Sequence, residues 1–207
     1  LRVTGPAGTT VRLQHAEVLD KQGNFYTANL RTAQQADSYT LKGGEEETFE
    51  PHFTFHGFRY VKVEGYPGTP TADAITGIVV HSDMPRTGSF TTSDPMLNQL
   101  YHNIVWGQKG NFVGVPTDCP QRDERLGWTG DAQVFSRTAA FNFDVAGFFT
   151  SWLRDLAADQ RDNGSLPDVI PDVLSRNSKT ANTSSSGWGD ATVIVPWKMY
   201  LAYGDIR

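Results

Sequence analysis

Asp94-Pro-Met-Leu-Asn-Gln-Leu-Tyr-His-Asn-Ile-Val-Trp-Gly-Gln-Lys109 is where the periodicity of the chain changes from two to that of a helix. Asp94 is a good N-cap and Pro95 fits the first helical position, where a missing N–H costs nothing. Leu97, Leu100, Tyr101, Ile104 and Val105 then follow i, i+3, i+4, i+7, i+8. Upstream, short strand-like runs alternate with turns: Val11 to Leu19, Ser38 to Lys42, Thr48 to Glu50, Phe58 to Glu64 and Ile75 to His81. Within the first of these, Val11, Leu13, His15, Glu17 and Leu19 share one face, and Asp20-Lys-Gln-Gly23 is a turn. Downstream, further helices are expected from about Asp131, from Val145 to Arg161 with Asn163-Gly164 as its stop, and from near Gly189, with Pro196 tolerated early or kinking it. The change falls within residues 85–92. The predicted architecture is therefore two-part: a partial β-sandwich or jelly roll over 1–87, then consecutive helices over 88–207.

Between the first two helices lies Pro116-Thr-Asp-Cys-Pro-Gln-Arg-Asp-Glu-Arg-Leu-Gly-Trp-Thr-Gly-Asp131. Prolines 116 and 120 and glycines 127 and 130 break both helix and strand, so the charged side chains sit on a shaped loop. Asp118, Asp123, Glu124 and Asp131 crowd four carboxylates together. Like-charge crowding raises at least one carboxyl pKa, which suits a general acid near neutral pH. Arg122 and Arg125 temper that repulsion and fork hydrogen bonds to carboxylates or hydroxyls. Pairing of Glu124 with either arginine, merely to shape the loop, is the competing role. Trp128 offers an apolar platform for a sugar ring, or packs in a core. Asp131 also stands where a helix begins, so capping is its structural alternative.

Thr117-Asp-Cys-Pro-Gln-Arg-Asp-Glu-Arg-Leu-Gly-Trp-Thr-Gly-Asp-Ala-Gln133 resembles the signature of the bacterial α-L-rhamnosidases, inverting glycoside hydrolases with an (α/α)6 barrel catalytic domain. The resemblance extends through Phe53-Thr-Phe-His-Gly-Phe-Arg-Tyr-Val-Lys-Val-Glu-Gly65 and Gly187-Trp-Gly-Asp-Ala-Thr-Val-Ile-Val-Pro-Trp197, so it covers nearly all of the chain. It implies a β-domain remnant followed by the N-terminal portion of the barrel. Carried over residue by residue, it places the general acid on Glu124 and sugar-hydroxyl contacts on Asp118, Arg122 and Asp131. It also places Trp128 and Trp188 as pocket walls, where an indole suits the C6 methyl group of L-rhamnose. Arg125 and Asp123 are expected to support these groups. The general base of the pair falls beyond Arg207, so the chain is expected to be a fragment that is inactive alone. Two other readings stand beside this one: another inverting (α/α)6 glycosidase, and a carbohydrate-binding module without turnover.

Composition agrees. A net charge of −5 argues against a nucleic-acid surface, which needs clustered Lys and Arg, and a neutral rhamnosyl glycoside or rhamnose-containing polysaccharide is compatible with it. No membrane-spanning run and no cofactor motif is visible. Cys119, the only cysteine, is expected to be a packed structural thiol, since its loop holds no histidine to act as base. His52 and His56 lack an evident third metal ligand. The aspartates of Leu166-Pro-Asp-Val-Ile-Pro-Asp172 are expected to be solvated or capping, and polar Asn177 to Gly187 to form a loop at a barrel mouth. Truncation is expected to uncover apolar faces such as Phe148, Trp152 and Leu156 and to favour self-association.

Overall fold

The structure, a computed structural model, describes residues 1–175 and 184–206. The chain divides into two compact units, one of Leu1–Val80 with Pro120–Glu124 and one of His81–Cys119 with Arg125–Arg207.

The first unit contains β1 (Arg2–Val3), β2 (Thr10–Ala16), β3 (Val18–Leu19), β4 (Phe25–Tyr26), β5 (Ala36–Thr40), β6 (Glu47–Thr48) and β7 (Tyr60–Glu64). β2 is the centre of an antiparallel sheet, flanked by β5 with Val11 opposite Tyr39 and by β7 with Leu13 opposite Val63. The expected alternation holds along β2, where Val11, Leu13 and His15 are buried, and it fails after Ala16. A bend at Glu17 diverts the chain into the β3–β4 hairpin, and Leu19 ends up exposed. Val3, Val11, Leu13 and Leu41 form a small core joined by Tyr39, Val61, Val63 and Ile75. The run from Ile75 to His81 pairs with no strand among the described residues, and Ile78, Val79 and Val80 are exposed. Strand propensity needs a partner to accept its ladder bonds, and none is described.

In the second unit α1 (Pro95–Asn111) starts as expected, with the Asp94 carboxylate accepting from Met96 N at 2.8 Å. It leads into the hairpin β8 (Phe112–Val113) and β9 (Val115–Pro116), then α2 (Thr129–Asn142), α3 (Ala146–Ala158), the single turn α4 (Ser186–Gly189) and α5 (Ala191–Tyr203). Asp131 lies inside the first turn of α2 and Trp128 is the capping position, so the capping role considered for Asp131 is not the one observed. α3 stops at Ala158, short of Asn163-Gly164, because Asp159 accepts from Asp172 N at 2.7 Å and the chain turns back through Arg161 N to Ser165 O. Pro196 lies inside α5, which Gly204 closes in the left-handed conformation.

The core of this unit corrects the expected exposure. Trp152 and Leu156 are buried and Phe148 packs against the same cluster, with Phe149, Ile170, Val195 and Met199 around them. α3 finds α5 and the 166–170 segment as partners within the chain. Exposed apolar side chains instead include Met96, Leu97, Leu100 and Trp106 of α1, Val134 and Phe141 of α2, and Val193, Trp197, Tyr200 and Leu201 of α5. Of the stripe predicted on α1, Leu97 and Leu100 are exposed, Tyr101 and Ile104 are half-buried, and Val105 is buried.

Two close fits here have measurable consequences. A Cβ on Gly127 would lie 2.0 Å from Ile170 O, the oxygen that accepts from Trp152 Nε1 at 3.3 Å. Gly127→Ala is expected to cost about 3 kcal/mol through forced backbone movement, read as a lowered urea midpoint of tryptophan fluorescence. In the first unit the Glu47 carboxylate accepts from the Tyr39 hydroxyl at 2.7 Å and from Gly43 N at 2.9 Å, which holds its pKa below the usual range. A depressed carboxyl stabilises the fold above the unfolded pKa and loses that contribution as pH falls through the folded one. Glu47→Gln should thus lower hydrogen-exchange protection of residues 36–48 at pH 7, and the deficit should shrink below about pH 4. A deficit independent of pH would contradict this account.

Candidate functional site

The loop after β9 is closed at its base by two bonds between the same pair of residues. Asp118 N donates to Leu126 O at 3.1 Å, and Leu126 N donates to the Asp118 carboxylate at 3.0 Å. Inside this clasp Arg125 N approaches the buried Cys119 sulfur at 3.5 Å, which makes Cys119 a packed thiol with a loop-shaping contact. Arg125 has φ +52, and burial pushes its guanidinium pKa down. Beyond the clasp, Ile170 N donates to Gly127 O at 2.9 Å, Trp128 forms a bridge with Val169, and Thr129 donates through both N and Oγ1 to Asp168 O. The 166–170 segment thereby fixes where α2 begins and which way Asp131 projects from its first turn.

Asp118, Asp131 and Trp188 line one cavity of ≈ 600 Å³ in the second unit, together with Gln108, Asn111 and Phe112. That volume lies within the range of small-ligand sites. Trp188 also lies against Gly130, where a Cβ would come within 3.0 Å of the indole. Trp128 meets Trp188 edge to face, with centroids 6.4 Å apart, so it backs the wall that Trp188 presents. Trp188 is carried on α4, which is positioned by side chains. The Asp168 carboxylate accepts from Ser185 N at 2.9 Å and Oγ at 3.0 Å, and Gln133 donates to Gly187 O at 3.1 Å. Asp172 accepts from Ser175 N at 3.1 Å and lies 3.7 Å from the Arg161 guanidinium. Both aspartates of the 166–172 segment thus hold loops through partly buried hydrogen bonds, a structural role other than the solvated or capping one expected of them. Of the polar loop expected over 177–187, residues 177–183 lie outside those described.

Glu124 and Arg122 belong to the first unit, within the Pro120–Glu124 strip. Arg122 Nη2 lies 2.8 Å from Glu124 Oε2, and Arg31 Nη1 lies 2.7 Å from the same oxygen. The predicted crowding of carboxylates is thus replaced, at Glu124, by two guanidinium groups. Asp123 accepts a short hydrogen bond from the Thr32 hydroxyl, which holds its carboxyl below the usual range. The structure brings Asp118, Asp131 and Trp188 to one cavity and Arg122 and Glu124 to one ion pair. Arg31, Thr32 and Asp168 were not legible as site residues, because their partners are 17 to 93 positions away and no local motif marks them.

Donor atoms of His15, Asp37 and His56 lie within 4.8 Å of one another. The two imidazoles are stacked, with centroids 4.3 Å apart and planes 25° apart. The lone pairs of such rings lie in nearly parallel planes and do not converge on a single ion. His56 instead bridges Asp37 at 2.8 Å and the Gln35 side chain, and the histidine near it in sequence, His52, takes no part in this cluster.

Two family models match the chain: the bacterial alpha-L-rhamnosidase concanavalin-like domain over residues 1–81, and the bacterial alpha-L-rhamnosidase 6 hairpin glycosidase domain over residues 85–207. An alpha-L-rhamnosidase of Streptomyces avermitilis is 58% identical over 205 residues, covering 99% of this chain and 19% of that protein. One from Formosa agariphila is 50% identical over 210 residues, covering 100% and 22%. The crystal structure of the Streptomyces avermitilis enzyme complexed with L-rhamnose matches with a TM-score of 0.92 at 57% identity, over 99% of this chain and 19% of that one. The native alpha-L-rhamnosidase of Aspergillus terreus matches with a TM-score of 0.92 at 50% identity, over 99% and 24%. The chain spans about a fifth of the length of the curated relatives it matches. With both family models in order along it and the same backbone in solved relatives, the chain belongs to the bacterial α-L-rhamnosidase family, as part of a concanavalin-like β-domain followed by part of a six-hairpin helical barrel.

Proposed function

We propose that the chain supplies the acid half of the active site of an inverting α-L-rhamnosidase, which removes terminal α-L-rhamnosyl residues from glycosides or polysaccharides. The observation that carries this reading is the cavity lined by Asp118, Asp131 and Trp188, in a family that includes a structure complexed with L-rhamnose. Carboxylates accept hydrogen bonds from vicinal hydroxyls, and an indole wall suits the C6 methyl group. Arg122 supplies donors to sugar oxygens, and Trp128 buttresses Trp188.

In this reading Glu124 gives its proton to the departing glycosidic oxygen. A second carboxylate, roughly 6.5–9.5 Å away, takes a proton from the water that attacks the anomeric carbon on the opposite face. The resemblance to the family assigns that second role to no carboxylate of this chain. The pairing of Glu124 with Arg31 and Arg122 favours one competing reading, in which Glu124 only shapes the loop of a carbohydrate-binding module.

Glu124→Gln in the full-length protein separates the two. Loss of a general acid costs about 10²–10⁴-fold, and least where the leaving group departs without help. A nitrophenyl rhamnoside should therefore lose less kcat than an alkyl or flavonoid rhamnoside; equal losses, or none, would favour the binding module. The isolated 207-residue chain should release no rhamnose by chromatography. It should also self-associate in light scattering through Trp197, Tyr200 and Leu201, and Trp197→Ser with Leu201→Ser should reduce that association.

A further inference from the structure

Residues 120–124 are gripped by a short run of the β unit. Gly57 N donates to Pro120 O at 3.2 Å, and a Cβ on Gly57 would lie 2.7 Å from the Pro120 ring. The Gln35 side-chain amide donates to Gln121 O, the Thr32 hydroxyl to Asp123, and the Arg31 guanidinium to Glu124 at 2.7 Å. Gln35 is itself oriented by His56, which bridges its side-chain oxygen and Asp37.

Two residues of this run have an unusual backbone. Arg31 has φ 58 and ψ −117, and Gln35 has φ 48. The Arg31 conformation is that of the first central residue of a type II′ turn, where glycine is the residue without steric cost. The Arg31 side chain is 57% exposed while that of Glu124 is 18% exposed, so little packing holds the arginine there. Strain of this sort persists where the surroundings impose it, and it clusters at functional sites.

We infer that Arg31, on the β-domain, is a positioning residue for rhamnoside hydrolysis, fixing the Glu124 carboxylate from outside the signature loop. The inference rests on the reading of Glu124 as general acid. Arg122 sits two residues from Glu124 on the same loop, whereas Arg31 is 93 positions away and ties the carboxylate to the connection between β4 and β5. Geometry rather than charge alone is what a second, remote guanidinium adds, since a displacement of about 1 Å at a reacting group costs on the order of 10²-fold.

The test is a double-mutant cycle in the full-length protein with Arg31→Gly, Glu124→Gln and the pair, plus Arg31→Lys, using nitrophenyl and alkyl rhamnosides. Arg31→Gly should lower kcat on the alkyl substrate about 10- to 100-fold with KM little changed, and lower it only a few-fold on the nitrophenyl substrate. Its melting temperature should not fall, because glycine adopts this backbone freely. Arg31→Lys should recover part of the activity. Once Glu124 is Gln, adding Arg31→Gly should change kcat less than about twofold, since the residue acts through a group already removed. Equal losses in both backgrounds, a loss that tracks a lowered melting temperature, or no loss at all would overturn the positioning role while leaving the Glu124 assignment standing. If Glu124→Gln alone shows no dependence on leaving group, the acid assignment falls and this inference falls with it.

Discussion

The pair of hydrogen bonds between Asp118 and Leu126 is the constraint from which the site follows. It closes the loop from Cys119 to Arg125 into a neck within which Pro120–Glu124 is assigned to the first unit. Everything after the neck is then placed by backbone contacts with the 166–170 segment, down to the first turn of α2. Asp118 has its carboxylate engaged at the neck and also lines the cavity, so loop closure and the shape of the cavity depend on the same side chain. Without the clasp the loop would keep more chain entropy, and its residues would be held in place less firmly.

Electrostatics at the tip of the excursion differ in kind from a cluster of carboxylates. Glu124 is paired with guanidinium groups from two directions, and Asp123 is held in its charged form by a hydroxyl. Such pairing at a partly exposed surface stabilises the fold only modestly, and its main effect is orientation.

Local features of the fold were legible where local physics decides them. Asp94-Pro95 begins α1 and Val11 to His15 alternates, each within a few residues of sequence. The misjudged features are those where a distant partner decides. Ile75 to His81 has strand composition without a pairing strand among the described residues, and Trp152 and Leu156 are covered by α5 and the 166–170 segment. For the site, the signature loop and its resemblance singled out Asp118, Asp131 and Trp188, which share a cavity. The grip on residues 120–124 by Arg31, Thr32 and Gln35 spans 86 to 93 positions, and no periodicity or motif encodes contacts of that range.

Trp188 stands on a helix of one turn, bracketed by Gly187 and Gly189. So short a helix has no cooperative ladder to keep its own shape. Its place is dictated by Asp168 and Gln133, neither of which is an aromatic of the wall. The tilt of the cavity wall is therefore set from behind it. Substitution at such remote anchors would reshape the cavity while every residue that lines it stays the same.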